Sequence, residues 1–165
     1  MGNLISKDIL IKFLIFSTLL IFSTLLQFGY FYLTPRAKEL KTAYEQFRKE
    51  YMRAQLTFDT SNLSRVATGE VLRGSIASVE QRRKFPEIRV SSESEIGKTF
   101  RILELKDNYA QIKTHVSVRD FTQNPDTGER IYRSDFARWY TVWVEMVKES
   151  GVWKVAKIRS EEWNW

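Results

Sequence analysis

An uncharged apolar segment over residues 13–33 constrains this chain more than any other feature. At a rise of about 1.5 Å per residue, a helix of this length crosses the roughly 30 Å hydrocarbon core of a bilayer. A helix also satisfies its own backbone hydrogen bonds where water is absent. The aromatic residues Tyr30, Phe31 and Tyr32 at its end are typical of the headgroup region. The sequence therefore predicts a short tail at 1–12 followed by a single transmembrane helix at 13–33.

Two other interpretations of this segment fit less well. A cleaved signal peptide has a shorter apolar region and a small-residue cleavage site. The residues from Gln27 onward read Gln-Phe-Gly-Tyr-Phe-Tyr-Leu-Thr-Pro and contain no such site. A helix in a domain of this size usually keeps a charged or polar side toward water, whereas this segment carries no charge on any side. We therefore expect an anchored protein in contact with the lipid bilayer.

The orientation of the anchor follows from two opposing signals. Basic residues after the segment, such as Arg36, Lys38 and Lys41, favour a cytoplasmic domain by the positive-inside rule. Lys7 and Lys12 precede it in a short basic tail, and such a tail usually stays inside while the long domain is translocated. We expect an extracytoplasmic soluble domain.

Polar residues inside the predicted anchor suggest a contact with another membrane helix. Ser17 and Thr24 are seven residues apart and nearly share a helix face, with Gln27 one turn further on. Small hydroxylated residues and an amide on one stripe suit packing between membrane helices. The alternative is that the hydroxyls bond back to their own helix. The cost of leaving an amide unpaired in lipid favours integral membrane subunits as partners.

Composition narrows the chemistry. The net charge of +6 comes from acids and bases mixed along the chain, which fits an acidic partner or anionic headgroups better than nucleic acid. The absence of cysteine excludes disulfides and thiolate chemistry, and the single histidine, His115, argues against a zinc enzyme. We expect no metal, no cofactor and no nucleic-acid partner.

A helix is predicted from Thr34-Pro35, an N-cap followed by proline, to about Phe58. Its apolar residues alternate three and four apart, as in a coiled-coil seam: they are Ala37, Leu40, Tyr44, Phe47, Tyr51, Ala54 and Phe58. The helix either packs on its own domain or forms a stalk or dimer seam. We divide the chain into a linker or stalk helix at 34–58 and a domain at 59–165, which begins with a second helix at 63–84.

After Pro86 the apolar period changes to two, which predicts strands. The expected strands cover residues 88–94, 99–105, 109–121, 131–147 and 152–160, and the long strand at 131–147 is expected to be bent or bulged. The clearest is 109–121, where Ala110, Ile112 and Thr114 face one way while Lys113 and His115 face the other. Two helices followed by a meander of four or five antiparallel strands predict an α+β domain.

This order, ending in Gly151-Val-Trp-Lys-Val after a long aromatic strand, is similar to the cystatin-like cone of the nuclear-transport-factor-2-like superfamily. The resemblance implies an α+β cone in which two or three helices pack on a curved antiparallel sheet. With an anchor before the cone, the chain resembles assembly subunits of type IV secretion and conjugation systems. It also resembles the intermembrane-space domain of a chloroplast and cyanobacterial division protein. Those relatives imply non-catalytic scaffolding. Soluble relatives, the ketosteroid isomerases and dehydratases, imply an acid–base pair inside the cone.

Acid–base chemistry needs a carboxylate or histidine inside the cone. The candidates are His115, Asp120 and Asp135, with Tyr109 or Tyr140 as hydrogen-bond donors. His115 lies on the polar side of its predicted strand, and the two aspartates lie near loops. The sequence contains no nucleophile motif, phosphate loop or metal-ligand spacing. We therefore expect no enzyme activity.

The positions of the tryptophans indicate a partner-binding surface more strongly than the acid–base candidates indicate a catalytic site. On the strand at 131–147, Trp139 and Trp143 share one face, and Phe136, Tyr140, Val142, Val144 and Met146 lie on the other. Trp153 on the next strand and Trp163 and Trp165 in the tail complete the predicted partner-binding set. The alternative is that the helix at 34–58 covers the Trp139 face internally.

The sequence thus predicts a non-catalytic accessory or assembly subunit of a membrane complex. A homo-oligomer is compatible with the same features. The alternative function is a membrane-tethered small-molecule binder, or an isomerase-like or dehydratase-like enzyme with a pocket in the cone.

Overall fold

The structure is a computed structural model that describes residues 34–85 and 89–163. Within these residues no helix is long and apolar enough to cross a membrane. The predicted tail at 1–12 and anchor at 13–33, with Ser17, Thr24 and Gln27, lie outside the described residues.

Helix α1 (Pro35–Thr57) begins where the sequence predicts. The Thr34 Oγ1 atom accepts a hydrogen bond from the Ala37 N–H at 3.2 Å, which satisfies one of the free donors of the first turn. At the other end Phe58 adopts a left-handed conformation and its N–H donates to the Ala54 carbonyl. That cap ends the helix within one residue of its predicted limit.

The predicted helix at 63–84 is two helices, α2 (Leu63–Val66) and α3 (Gly69–Arg83). The continuous helix was wrong because the backbone between them pairs with the sheet. Ala67 is extended, fully buried and bridged to Val155, and the Thr68 N–H donates to the Val155 carbonyl at 2.9 Å. Peptide groups that bond to a strand are not available to a helix.

Five antiparallel strands form one sheet in the order β1-β2-β4-β5, with β3 paired to the end of β2. They are β1 (Arg89–Leu105), β2 (Tyr109–Gln123), β3 (Arg130–Arg133), β4 (Arg138–Glu149) and β5 (Val152–Glu162). The two strands expected at 88–94 and 99–105 are joined in β1, with a register shift between Ile96 and Phe100. The α+β class with a curled antiparallel sheet is confirmed.

The single strand expected at 131–147 is divided into β3 and β4. The Ser134 N–H still donates to the Asp120 carbonyl of β2, and the Ser134 hydroxyl donates to the Phe136 carbonyl. Between the pairs Phe121–Arg133 and Val118–Arg138, the segment 134–137 holds two more residues than β2 and leaves the regular ladder. Phe136 is consequently 82% exposed instead of facing the core with Val142 and Val144, which corrects its expected position.

The core lies between α1 and the face of the sheet turned toward it, called here the inner face. Leu40, Tyr44 and Phe47 of α1 are buried against this face, whose central core residues are Ala110, Ile112, Val116, Val142, Val144, Met146 and Val155. The apolar seam of α1 is therefore used within its own domain, and the stalk interpretation is not supported. Residues of the predicted linker or stalk helix at 34–58 thus share a core with the strands of the predicted domain at 59–165.

Candidate interaction surface

The outer face of the sheet points away from the helices. Side chains alternate along a strand, so the residues between the buried Val142, Val144 and Met146 of β4 emerge on this face. Trp139 and Trp143 lie there as predicted; Trp139 is 38% exposed and Trp143 is half-buried. Helix α1 packs on the opposite face and does not cover them.

Trp139, Trp163 and His115 form an indole cluster at one end of the outer face. The Trp163 N–H donates to the Trp139 carbonyl at 2.9 Å, and its indole Nε1–H donates to the Thr141 hydroxyl at 2.8 Å. The rings of Trp139 and Trp163 stack with centroids 6.1 Å apart, and His115 meets Trp163 edge-on at 4.8 Å. Two hydrogen bonds and two ring contacts hold the aromatic surface in one arrangement.

Trp143 belongs to a row of side chains that crosses four strands, called here the cation row. The strand register aligns Arg101 with Lys113, Lys113 with Trp143, and Trp143 with Arg159. The Lys113 Nζ atom lies 5.0 Å from the indole centroid and the Arg159 Cζ atom lies 5.4 Å from it. Trp143 is therefore flanked by two cations within cation–π distance.

Trp153 does not join this surface. It lies in the core with 6% exposure, opposite Lys148, and its Nε1–H has no hydrogen-bond partner in the described part of the chain. The cause is an irregularity in the β4–β5 ladder, where Glu145 pairs with Lys157 but Met146 pairs with Val155. The extra residue reverses which side chains of β5 face outward. The expected surface position of Trp153 is corrected; Trp165 lies outside the described residues.

His115 occupies the outer face as expected from its strand. Its Nδ1 atom lies 2.8 Å from the Thr99 hydroxyl. Burial, followed by the positive charges of Lys113 and Arg101, lowers the pKa of the imidazole below its ordinary 6.5. The ring is thus neutral at neutral pH and accepts or donates hydrogen bonds without adding charge.

A second concave feature, called here the inner cavity, opens between α1, α3 and the inner face. Its volume is about 600 Å³, and Asp120, Arg138 and Tyr140 line it together with Arg48. Asp120 is ion-paired with Arg138 and accepts a hydrogen bond from Ser92 at 2.6 Å. Burial raises the pKa of the Tyr140 phenol.

The predicted acid–base candidates are therefore separated. Asp120 and Tyr140 line the inner cavity, His115 is on the outer face, and Asp135 is exposed in the 134–137 turn. Tyr109 starts β2 at the opposite end of that strand from Asp120. Among residues 34–85 and 89–163, no group of three or more histidines and carboxylates is placed to hold a metal ion.

Sequence comparison and structure comparison give different results. No protein-family model and no curated protein matches the sequence. The intermembrane-space region of the chloroplast protein ARC6 superposes with a TM-score of 0.58 at 11% identity, over 77% of this chain and 97% of that one. The chain has the cystatin-like fold. The predicted resemblance is confirmed at the level of the fold.

Two further structures match less closely. ActVI-ORFA from Streptomyces coelicolor superposes with a TM-score of 0.50 at 14% identity, over 74% of this chain and 94% of that one. CagV, a VirB8 homologue from Helicobacter pylori, superposes with a TM-score of 0.42 at 14% identity, over 64% of this chain and 80% of that one. At these identities the likeness concerns the fold alone.

The cation row was not predicted from the sequence, although Lys113 was noted beside His115. The alternation of β2 places Lys113 on the outer face. The position of Arg101 depends on the register shift in β1 between Ile96 and Phe100. No local sequence pattern specifies that shift.

Proposed function

We propose that this chain is a non-catalytic assembly subunit of a membrane protein complex. A helix at 13–33 anchors it, the described domain is extracytoplasmic, and the outer face carrying Trp139, Trp143 and Trp163 binds a partner protein. The observation that carries the proposal is the indole cluster, which is partly exposed yet held in one arrangement by the 2.9 Å and 2.8 Å hydrogen bonds of Trp163.

Such an arrangement suits protein recognition for an energetic reason. Tryptophan and arginine are the residues most often found at the centre of binding interfaces, where they bury large areas. A side chain that is already fixed loses little conformational entropy on binding. The domain already has its core on the inner face, so the outer tryptophans are not needed to complete it.

The fold itself does not choose between functions, because one fold supports unrelated activities. The membrane part of the proposal depends on the uncharged segment at 13–33, in which Ser17, Thr24 and Gln27 would contact helices of integral membrane subunits. The partner protein at the outer face can also be a second copy of this chain.

A pull-down of the full-length chain in mild detergent tests it. Stoichiometric membrane partners should be lost with Trp139→Ala/Trp143→Ala. A matched control, Phe85→Ala/Tyr132→Ala, removes two exposed aromatic side chains from other parts of the surface and should retain them. Circular dichroism and a melting curve establish that both variants fold. A chain without stoichiometric partners, or partners retained by the first variant, would contradict the proposal.

The inner cavity supports a second candidate, the binding of a small molecule. Its volume of about 600 Å³ and its apolar walls with a few polar groups match ligand sites in general. The Asp120 carboxylate is already paired with Arg138, which suits positioning of a ligand better than proton abstraction. Native mass spectrometry of the purified chain should detect a bound small molecule that is lost with Tyr140→Phe; an empty cavity would exclude a tightly held one.

A further inference from the structure

Two cations of the cation row lie side by side on neighbouring strands. Arg101 and Lys113 are direct cross-strand partners, and like charges in that position destabilise a sheet. Arg159, at the other end of the row, pairs with Glu161 at 2.6 Å. Among the described side chains, neither Arg101 nor Lys113 forms an ion pair. The sheet therefore tolerates an unfavourable pair at this place.

The surface is indented at the same place. A cleft of about 140 Å³ is lined by Thr99, Arg101, Lys113, Thr114 and His115. A water molecule occupies about 30 Å³ in the liquid, so the cleft has room for a carboxylate group and its bridging waters. The lining presents two full positive charges. The Thr99 hydroxyl and the neutral His115 ring share one hydrogen bond, which leaves one donor of this pair for a ligand. Cationic groups and such a donor are what carboxylates accept from in proteins.

The geometry of β1 creates this cleft. The register shift between Ile96 and Phe100 brings the backbone of Gly97 against His115, where a Cβ atom would lie 3.1 Å from the His115 carbonyl oxygen. The Thr99 hydroxyl then reaches the His115 Nδ1 atom. Burial first, and then the charges of Lys113 and Arg101, lower the pKa of His115 at this position.

We propose that the outer face recognises a carboxylate-rich segment of a partner protein, with its acidic side chains in the cleft at Arg101 and Lys113 and its apolar side chains on the tryptophans. The inference rests on the proposed function and names the chemistry of the partner. The distance along β2 from Lys113 to Ser117, which pairs with Trp139, is about 13 Å at about 3.3 Å per residue. A short extended peptide spans it.

Lipid and nucleic acid fit this face less well. The outer face also carries Glu145 and Glu161, whose charges oppose a continuous track for phosphates. Helix α1 begins beside the turn at 106–108, where Arg36 pairs with Asp107 at 3.7 Å. Ser117 lies about 26 Å along β2 from Tyr109, the residue after that turn, so the indole cluster is far from the end of the domain that follows the predicted anchor.

The single histidine gives the test a specific probe. Hexaglutamate peptide is titrated into the full-length chain in a zwitterionic detergent, and the ¹H NMR signals of His115 are followed with a chain that carries no histidine tag. We expect saturable shifts and a rise in the pKa of His115. Arg101→Gln/Lys113→Gln should weaken binding by about tenfold or more, since each lost charge-assisted contact is worth about that factor.

A control with the same change in net charge is Arg65→Gln/Arg73→Gln, two exposed residues on the helical side, which should change affinity by less than about twofold. Absence of saturable binding, or equal weakening by the control, would overturn the inference. So would stronger binding of glycerol 1-phosphate, the soluble counterpart of a lipid headgroup, or of oligothymidylate at the same signals.

The pull-down separates this inference from the proposed function. Partners lost with both Trp139→Ala/Trp143→Ala and Arg101→Gln/Lys113→Gln support both. Partners lost with the tryptophan variant but retained by Arg101→Gln/Lys113→Gln overturn the acidic-segment inference and leave the assembly function standing. Partners retained by both overturn both.

Discussion

The inner cavity and the outer face both carry charged side chains, but the acidic charge of the cavity is paired, whereas two cations of the outer face form no ion pair among the described side chains. In the cavity, Asp120 is bonded to Arg138 and Ser92, so the charges of Asp120 and Arg138 neutralise each other. On the outer face, Arg101 and Lys113 lie opposite each other without an ion pair among the described side chains. A group that is already paired offers little to a ligand, whereas an uncompensated pair gains from binding an anion. The difference favours the outer face as the site of recognition.

The largest expected effect is on the free energy of unfolding, when a tryptophan of the inner face is replaced and compared with a tryptophan of the outer face. Trp153→Ala removes a buried side chain and should lower the free energy of unfolding by about 3–5 kcal/mol. Trp139→Ala removes a partly exposed one and should cost less than about 1.5 kcal/mol, mainly from lost stacking on Trp163. Urea denaturation of the full-length variants, followed by circular dichroism, measures both. Equal losses would mean that the outer tryptophan is part of the core.

Replacement of two glycines, one beside the cleft of the outer face and one in helix α3, tests the geometry of the cleft. Gly97→Ala places a Cβ atom 3.1 Å from the His115 carbonyl oxygen, so the neighbouring backbone must move by a few tenths of an ångström, at a cost of about 1–2 kcal/mol. Gly74→Ala in α3 meets open space and should stabilise the helix by about 0.5–1 kcal/mol. The same denaturation experiment should give opposite signs. A stable Gly97→Ala variant with an unchanged His115 spectrum would contradict the close approach.

In the inner cavity, removal of a charge should have a smaller effect. Asp120→Asn weakens the ion pair with Arg138, whose partners are 40% and 51% exposed, and exposed pairs are worth about 0–1 kcal/mol. Stability should therefore fall by less than about 1 kcal/mol, and partner binding should not change. A change in partner binding equal to that of the tryptophan variant would place the recognition site in the cavity.

The smallest effect is the pH dependence contributed by His115. Its pKa is lowered in the folded state, so the unfolded chain takes up the proton first as pH falls below about 6.5. The contribution of His115 to the free energy of unfolding is therefore fully present above about pH 6.5. It decreases as the pH falls toward the pKa of the folded state and is constant below that pKa. Arg101 and Lys113 face the ring as cations, while Glu161 across the sheet is engaged with Arg159. A His115→Gln variant should lose this step, as followed by unfolding free energies between pH 5 and pH 8.

Local signals were sufficient for much of this fold. The cap at Thr34, the seam of α1 and the alternation of β2 are properties of neighbouring residues, and each was predicted. The break at Ala67 and the division between β3 and β4 depend on hydrogen bonds to Val155 and Asp120, which are distant in sequence. Periodicity does not contain that information.

The candidate site was predicted only in part for the same reason. Trp139 and Trp143 follow from alternation along one strand. Trp153 was assigned to the wrong face because the irregularity in the β4–β5 ladder reverses the alternation of β5. The cation row requires the register of four strands at once, including the shift in β1 that places Arg101 opposite Lys113.

Site-specific photocrosslinking in the cells that make the protein tests the central claim most directly. The photoreactive residue p-benzoylphenylalanine replaces Trp139 on the outer face or Arg73 on the helical side, in the full-length chain. The account predicts a discrete crosslink to a membrane protein from position 139 and none to that protein from position 73. The same crosslink from both positions, or from position 73 alone, would contradict recognition through the outer face.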